Sequence, residues 1–439
     1  MSFQKIINCY DSHTHFWATG QVAEGLTLNH LTSAEDVLKL SLLPHHQRQN
    51  WIVGFGWNHL NWSSQALPNK TLLDRLNSQQ PLFFSRVDGH ASWLNSKALS
   101  ELKLRGYDFS KDPVGGRIER DLAGEPTGIL FDQAHIQALL MLPDFSPQLH
   151  RHFFSASQNI FNKAGFTHVR DLSMNSFFWN ILREMEDQKK LTVCVESFVT
   201  AENLSQLEDV LKEIKILQAD QSQQLRVMGV KIFIDGSLGS KTAYVSQNYL
   251  GTSQNGVLIW PYEDIKTLIE TAWRAGQHVA IHTIGDQASA VAVKAAREVS
   301  ANGILGRLHL EHVQILSHET LQMMKPLHVT CYMQPCHWLS DSPWLKSVLP
   351  ESLVKNLFQW ELLRKNKIPF FFGSDSPIER PSLFDNSKAL IQSSAWGVPK
   401  LQADWISYHQ HPDRNWCPSH TEIDEESVRQ VYFNGQSLL

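Results

Sequence analysis

Asp11-Ser12-His13-Thr14-His15 follows the apolar run Ile6-Ile7-Asn8-Cys9-Tyr10, a run that suits a buried parallel strand. Two histidines at i and i+2 of a strand share a face. At the strand's C-terminal end both imidazoles point into one cavity, where they can hold one metal ion. With 21 histidines among 439 residues, about one His-x-His pair arises by chance. A second pair, His409-Gln410-His411, runs into Pro412-Asp413-Arg414-Asn415 and reads as a loop. What singles out the first pair is a set of candidate ligands downstream, each at the end of its own apolar run.

Those runs have a rhythm. Helical spacing over 152–164, 177–190, 204–217, 262–275, 288–300, 318–325 and 353–366 alternates with strand-like segments over 165–171, 191–199, 225–234, 278–282, 308–312, 328–333 and 369–372. With the strand before His13 this makes eight strands separated by helices. Such alternation implies parallel strands, and eight of them predict a closed (β/α)8 TIM-type barrel in the α/β class. Residues 16–150 are too long for an ordinary connection and carry enough apolar residues for an inserted, substrate-side subdomain. Residues 1–15 and 151–439 then form the barrel. Residues 384–396 and 423–433 read as C-terminal helices, with a Trp-rich irregular stretch between them.

Composition narrows the class. Hydrophobic content of 42% and charge of 19% describe a folded globular chain. The formal net charge is −5 and no Lys/Arg cluster stands out, which gives no electrostatic support for a nucleic-acid or anionic-membrane partner. No run is long and apolar enough to read as a transmembrane helix or a signal peptide. Cys9, Cys194, Cys331, Cys336 and Cys417 are odd in number and scattered, which predicts reduced, buried thiols in a cytoplasmic setting. The 14 Trp and 22 Phe favour large cores and hint at an aromatic or apolar substrate.

In such barrels the active site forms where strands end at the C-terminal face. Here the strand ends carry His13 and His15, Lys231, His282, Glu311-His312, and Asp375 within Gly373-Ser374-Asp375-Ser376. Imidazole and carboxylate suit zinc and its neighbours. Each residue also has a plain structural reading. His312 can be a hydrogen-bonded packing residue, and Asp375 can cap a turn. Lys231, amid Val, Ile and Phe, requires a carboxylate partner if it is only structural, with Asp235 as the candidate. The loop 235–240 can be a simple turn or can offer backbone N–H groups to a substrate.

The ordered set His-x-His, Lys, His, His, Asp resembles the amidohydrolase superfamily. Asp88-Gly89-His90, Trp93-Leu94-Asn95-Ser96, Lys231-Ile232-Phe233-Ile234-Asp235-Gly236-Ser237-Leu238-Gly239-Ser240, Ile281-His282-Thr283-Ile284-Gly285-Asp286 and Gln334-Pro335-Cys336-His337 are similar to its third amidohydrolase subgroup, which includes N-substituted formamide deformylases. The resemblance implies two zinc ions, with a single ion as the alternative. His13, His15 and Asp375 would bind one and His282 and His312 the other. Lys231, carboxylated to a carbamate, would bridge them. It further implies hydrolysis of an amide or N-formyl C–N bond by a metal-bound hydroxide, with Asp375 as general base and His90, Trp93 and His337 on the substrate side. Relatives carry a small β-sandwich, and the ten residues before Asp11 predict that it is largely absent here. A lyase or isomerase on the same metals, or a non-catalytic regulator keeping the scaffold, are the alternatives, although all six ligand candidates are present. The partner expected is a small-molecule substrate, with a homodimer left open.

Overall fold

The computed structural model describes residues 4–402 and 404–439, which fall into two compact units, 1–20 with 154–439, and Gln21–Phe153. The first unit is built on eight strands in one sheet, Tyr10–Thr14, His168–Met174, Cys194–Thr200, Leu225–Phe233, His278–Thr283, Arg307–His312, His328–Met333 and Phe370–Phe372, paired in that order. Every pairing along this path is parallel. The last strand meets the first through an isolated parallel bridge, Thr14 to Ser376. There Asp375 N donates to His13 O and His15 N donates to Ser376 O, both at 2.8 Å. Gly373 makes this seam possible, because a Cβ on it would lie 2.5 Å from the His13 backbone nitrogen. The result is a closed parallel barrel.

Alternation along each strand sorts side chains to its two faces. Leu308 and Leu310 join the large apolar core that also takes Ile265, Leu268, Ile269, Ala272 and Trp273 from helix Tyr262–Arg274. Those helix positions repeat at three and four residues, one buried stripe. The intervening His309 and Glu311 point the other way and are also buried, so polar groups fill much of the barrel interior. Arg170 is fully buried there. Its guanidinium donates to both oxygens of Glu311, at 3.0 and 2.9 Å, and lies 3.8 Å from the Tyr332 ring centroid.

Gln4–Ile7 leaves the barrel and pairs antiparallel with Ser419–Ile423, which continues to Val428–Phe433 and Gln436–Ser437. This single four-stranded sheet corrects the helix expected over 423–433. The segment Val428-Arg429-Gln430-Val431-Tyr432-Phe433 is β-branched and aromatic, and Asn434-Gly435 takes two positive φ values, 48° and 79°, as a tight hairpin demands. Upstream, the expected helix over 384–396 is present as Leu383–Gln392 followed by a 3-10 turn, Ser393–Trp396. All five cysteines are free and buried. No helix among the described residues is long and apolar enough to cross a membrane.

The second unit holds its own mixed sheet, in the order Leu26–Thr27, Trp51–Trp57, Leu82–Arg86, Ala91–Leu94, Pro126–Asp132 and Gly116–Arg120. Period-two patterning gives it two cores. Trp51, Phe83, Leu94 and Leu130 pack on one face with Ala98 and Leu102 of helix Ser96–Leu104. Ile52, Phe84, Trp93 and Ile129 pack on the other with Leu73 of helix Lys70–Leu76.

Candidate metal centre

The ends of the barrel strands bring His13, His15, Lys231, His282, His312 and Asp375 to one rim. His13 Nε2 lies 3.2 Å and His15 Nε2 3.3 Å from the same oxygen, Asp375 Oδ1. The ring of His312 is 4.6 Å from that of His13 and 4.4 Å from that of His282, centroid to centroid. Asp375 and His312 hold their side chains from positive φ, 61° and 71°, a backbone cost of about 1–3 kcal/mol for each.

Hydrogen-bond partners assign the imidazole tautomers. His13 Nδ1 lies 2.7 Å from Glu311 Oε2, an acceptor, so Nδ1 carries the proton and Nε2 the lone pair. His15 Nδ1 faces Ser173 Oγ at 3.2 Å, and that hydroxyl is spent on Asp171 Oδ1. His15 therefore also donates from Nδ1 and offers Nε2. Gln334 gives an N–H to Tyr332 O at 3.2 Å, which turns its Oε1 to His312 Nδ1 at 2.9 Å. Three rings thus present Nε2 lone pairs towards Asp375. His282 is reversed. Its Nε2 lies 3.2 Å from Gly236 O, leaving a buried Nδ1 with no hydrogen-bond partner among the described residues.

Two imidazole lone pairs and a carboxylate oxygen facing one another repel unless a positive charge sits between them. Burial opposes charge on His13, yet Asp375 and Glu311 outweigh it and raise its pKa. Burial likewise pushes the Asp375 carboxyl up, but the charge of His13 and hydrogen bonds from His13 and His15 hold it well below the usual carboxylate range. Burial draws the His282 pKa down to about 3, aided by Lys231, which keeps that ring neutral and able to ligate. His13, His15 and Asp375 form one set of ligand atoms within 4.8 Å of one another, and His312, His337 and Asp375 form another. The donor set fits a metal ion.

Lys231 is fully buried, and its Nζ has no hydrogen-bond partner among the described residues. Asp235 and Lys231 attract one another electrostatically, but no hydrogen bond joins them. The Asp235 carboxylate accepts backbone N–H groups from Ile284, Gly285 and Tyr244 at 3.1, 2.8 and 3.0 Å. The loop after Lys231 is thereby a folded turn tied down by Asp235.

His337 has the opposite tautomer from the three rings that face Asp375. Gln314 Nε2 donates an N–H to its Nδ1 at 3.0 Å. His337 Nε2–H is then a buried donor without a hydrogen-bond partner among the described residues, 3.7 Å from Asp375 Oδ2. A cavity of about 430 Å³ opens beside these groups, lined by His15, His282, His312, His337 and Asp375 together with Phe233, Leu238, Ile284, Trp344 and Ile378. Asp341 and Glu379 complete one wall.

Of the residues expected on the substrate side, His337 lies at this cavity. Trp93 is fully buried in the core of the second unit, and its Nε1–H donates to Asn69 O at 2.9 Å. Its place follows from strand alternation, which points it inward with Phe84 and Ile129. His90 sits on that unit's surface, 70% exposed, with Nδ1 at 3.1 Å from Asp132 Oδ1. Sequence reasoning missed Arg170, Gln314, Gln334 and Asp341, and gave Glu311 no role of its own. A usable signal was there, since a charged residue alternating with Leu in Leu308-His309-Leu310-Glu311 must find a partner inside the barrel.

Comparison with known proteins agrees with this architecture. Protein LONG AFTER FAR-RED 3 of Arabidopsis thaliana is 30% identical over 415 residues, covering 90% of this chain and 69% of its own length. N-substituted formamide deformylase of Arthrobacter pascens is 23% identical over 344 residues, covering 74% of this chain and 61% of its own. The crystal structure of an uncharacterized metal-dependent hydrolase from Pyrococcus furiosus superposes with a TM-score of 0.70 at 26% identity, over 89% of this chain and 77% of that one. Residues 10–400 match the Amidohydrolase family, and with that match, on a barrel whose rim gathers imidazoles around a carboxylate, the chain belongs to the amidohydrolases, a family of hydrolases to which metal-dependent members such as its archaeal neighbour are related.

Proposed function

We propose that the protein hydrolyses a C–N bond, an amide or N-formyl group, in a small molecule. The observation that carries this reading is the convergence of His13 Nε2, His15 Nε2 and Asp375 Oδ1, three acceptors that require a cation. His13, His15 and Asp375 would hold one zinc ion and His282 and His312 a second. Such ions lower the pKa of water towards neutrality and polarise a carbonyl oxygen. Lys231, as its carbamate, would supply a further anionic ligand. Burial, against the pull of Glu311, brings its pKa down to about 8, so the neutral amine is accessible. The ammonium would first give one proton to solvent; the neutral amine would then add to carbon dioxide, an N–C bond replacing one C–O π bond, and a second proton would leave, so that a buried cation becomes an anion.

The chain's other groups divide the remaining work. Asp375 accepts a proton from the attacking water and returns it to the leaving nitrogen. His337 Nε2–H donates to an oxygen of the substrate, in the orientation Gln314 imposes. Phe233, Leu238, Ile284, Trp344 and Ile378 suit an aromatic or apolar substituent. The relative named N-substituted formamide deformylase supports the N-formyl reading.

The test is metal analysis of protein purified without chelator, followed by a panel of N-formyl and N-acyl amines. About two zinc equivalents at the barrel centre are expected from the ligand count, with a carboxylic acid and an amine as products. Full activity without metal, or a product formed without incorporation of water, overturns the proposal.

A further inference from the structure

The unit Gln21–Phe153 carries a second convergence of ligand atoms. Glu24 ends helix Phe16–Glu24, His45 lies in the 3-10 turn Pro44–His46, and His152 lies in helix Pro147–Lys163. Glu24 Oε2 is 2.8 Å from His152 Nε2 and 3.7 Å from His45 Nε2. The two rings stack at 21° with centroids 5.0 Å apart, which turns both Nε2 atoms to the same carboxylate. All three ligand atoms lie within 4.8 Å of one another.

One hydrogen bond, from His152, accounts for the 2.8 Å approach. It does not account for His45, whose Nε2 is beyond hydrogen-bond range of that oxygen. The side chains of Glu24, His45 and His152 are 32%, 25% and 42% exposed, so an ion from solvent can reach them. A cavity of about 490 Å³ adjoins His45 and His152, and its other polar lining is neutral, Gln47, Gln49, Ser146 and Gln148. No lysine or arginine is among its lining residues to repel a cation.

We propose that Glu24, His45 and His152 form a site for a divalent transition-metal ion, zinc foremost, separate from the barrel centre. Two imidazoles and one carboxylate are a ligand set zinc accepts, with the fourth position open to water. Binding moves the His152 proton from Nε2 to Nδ1, and the freed lone pair takes the ion. Glu24 and His152 lie near the two ends of the unit, so the ion ties its first turns to its last. An ion that binds the folded form alone stabilises it.

The experiment uses the full chain with its barrel centre loaded, dialysed against zinc and then assayed for metal per chain. Wild type should hold one zinc equivalent more than either His45→Gln or His152→Gln. Added zinc should raise the thermal midpoint of wild type and leave that of both variants unmoved. Hydrolytic activity and circular dichroism of the variants report that fold and barrel centre are intact. Should either variant misfold, Glu24→Gln, at the end of its helix, replaces it in the same comparison. Equal zinc content and equal thermal response in wild type and folded variants overturn the proposal.

Discussion

Glu311 Oε2 lies 2.7 Å from His13 Nδ1 while the same carboxylate is gripped through both oxygens by the buried Arg170. Glu311 therefore does two jobs at once. It aims His13 Nε2 at Asp375, and it neutralises the one guanidinium in the barrel interior among the described residues. Burial would raise the Glu311 pKa, but Arg170 and His13 hold it well below the usual carboxylate range. Glu311→Gln leaves Arg170 charged, buried and half paired. Breaking such a pair costs about 3–5 kcal/mol, and losing a ligand's orienting partner costs about 10–100-fold in metal affinity. Denaturant unfolding and competition with a chelator measure the two effects separately.

Asp375→Asn should keep the fold, because the backbone bond from Asp375 N to His13 O does not involve the side chain. Turnover should fall by at least about 100-fold, the range for loss of a positioned acid–base group. Steady-state rates beside circular dichroism check this, and wild-type-like turnover would remove Asp375 from its assigned role.

Lys231→Met separates stability from function. A fully buried Nζ without a hydrogen-bond partner among the described residues is a cost to folding that an apolar chain of similar volume does not bear. In chelator-stripped protein the variant should be at least as stable as wild type, yet inactive when metal is restored. Chemical denaturation followed by an activity assay decides it. A variant destabilised without metal would mean that Lys231 has a structural partner.

Stability should fall in acid partly through His168. Its Nε2–H donates to Trp416 O at 2.9 Å, and burial, with His411 nearby, draws its pKa down to about 3. Above the ordinary histidine pKa of about 6.5 neither folded nor unfolded chain protonates this ring. Between that value and about 3 only the unfolded chain takes up the proton, so the folded state loses stability as pH drops. His168→Gln should be less stable than wild type at pH 8 yet lose less on going to pH 4. Urea midpoints at the two pH values give the comparison, and parallel losses in both proteins would refute it.

The barrel was legible because its strands are short apolar runs that end in ligand-type residues. Alternation placed His13 with His15 and left Lys231 among Val230, Ile232 and Phe233, all visible in one dimension. What escaped was partnership. That Arg170 pairs with Glu311, or that Gln314 sets the His337 tautomer, depends on residues distant in sequence meeting across the barrel. Trp93, named from a motif resemblance, takes an inward position in a period-two strand, packed with Phe84 and Ile129. The helix expected over 423–433 failed because Asn434-Gly435, a strong hairpin signal, went unused.

The hydrogen bonds that join the end of the eighth strand to the first are made by the backbones of His13, His15, Asp375 and Ser376. Shutting the ring of strands and gathering the three metal-seeking side chains are consequently a single event. A chain that has not yet sealed its barrel has no complete centre, and an ion bound to the finished one would act as a rivet across the last gap. Loss of the ion should accordingly be felt first as fraying between these two strands, in faster amide exchange at His15 and Asp375 than elsewhere on the barrel.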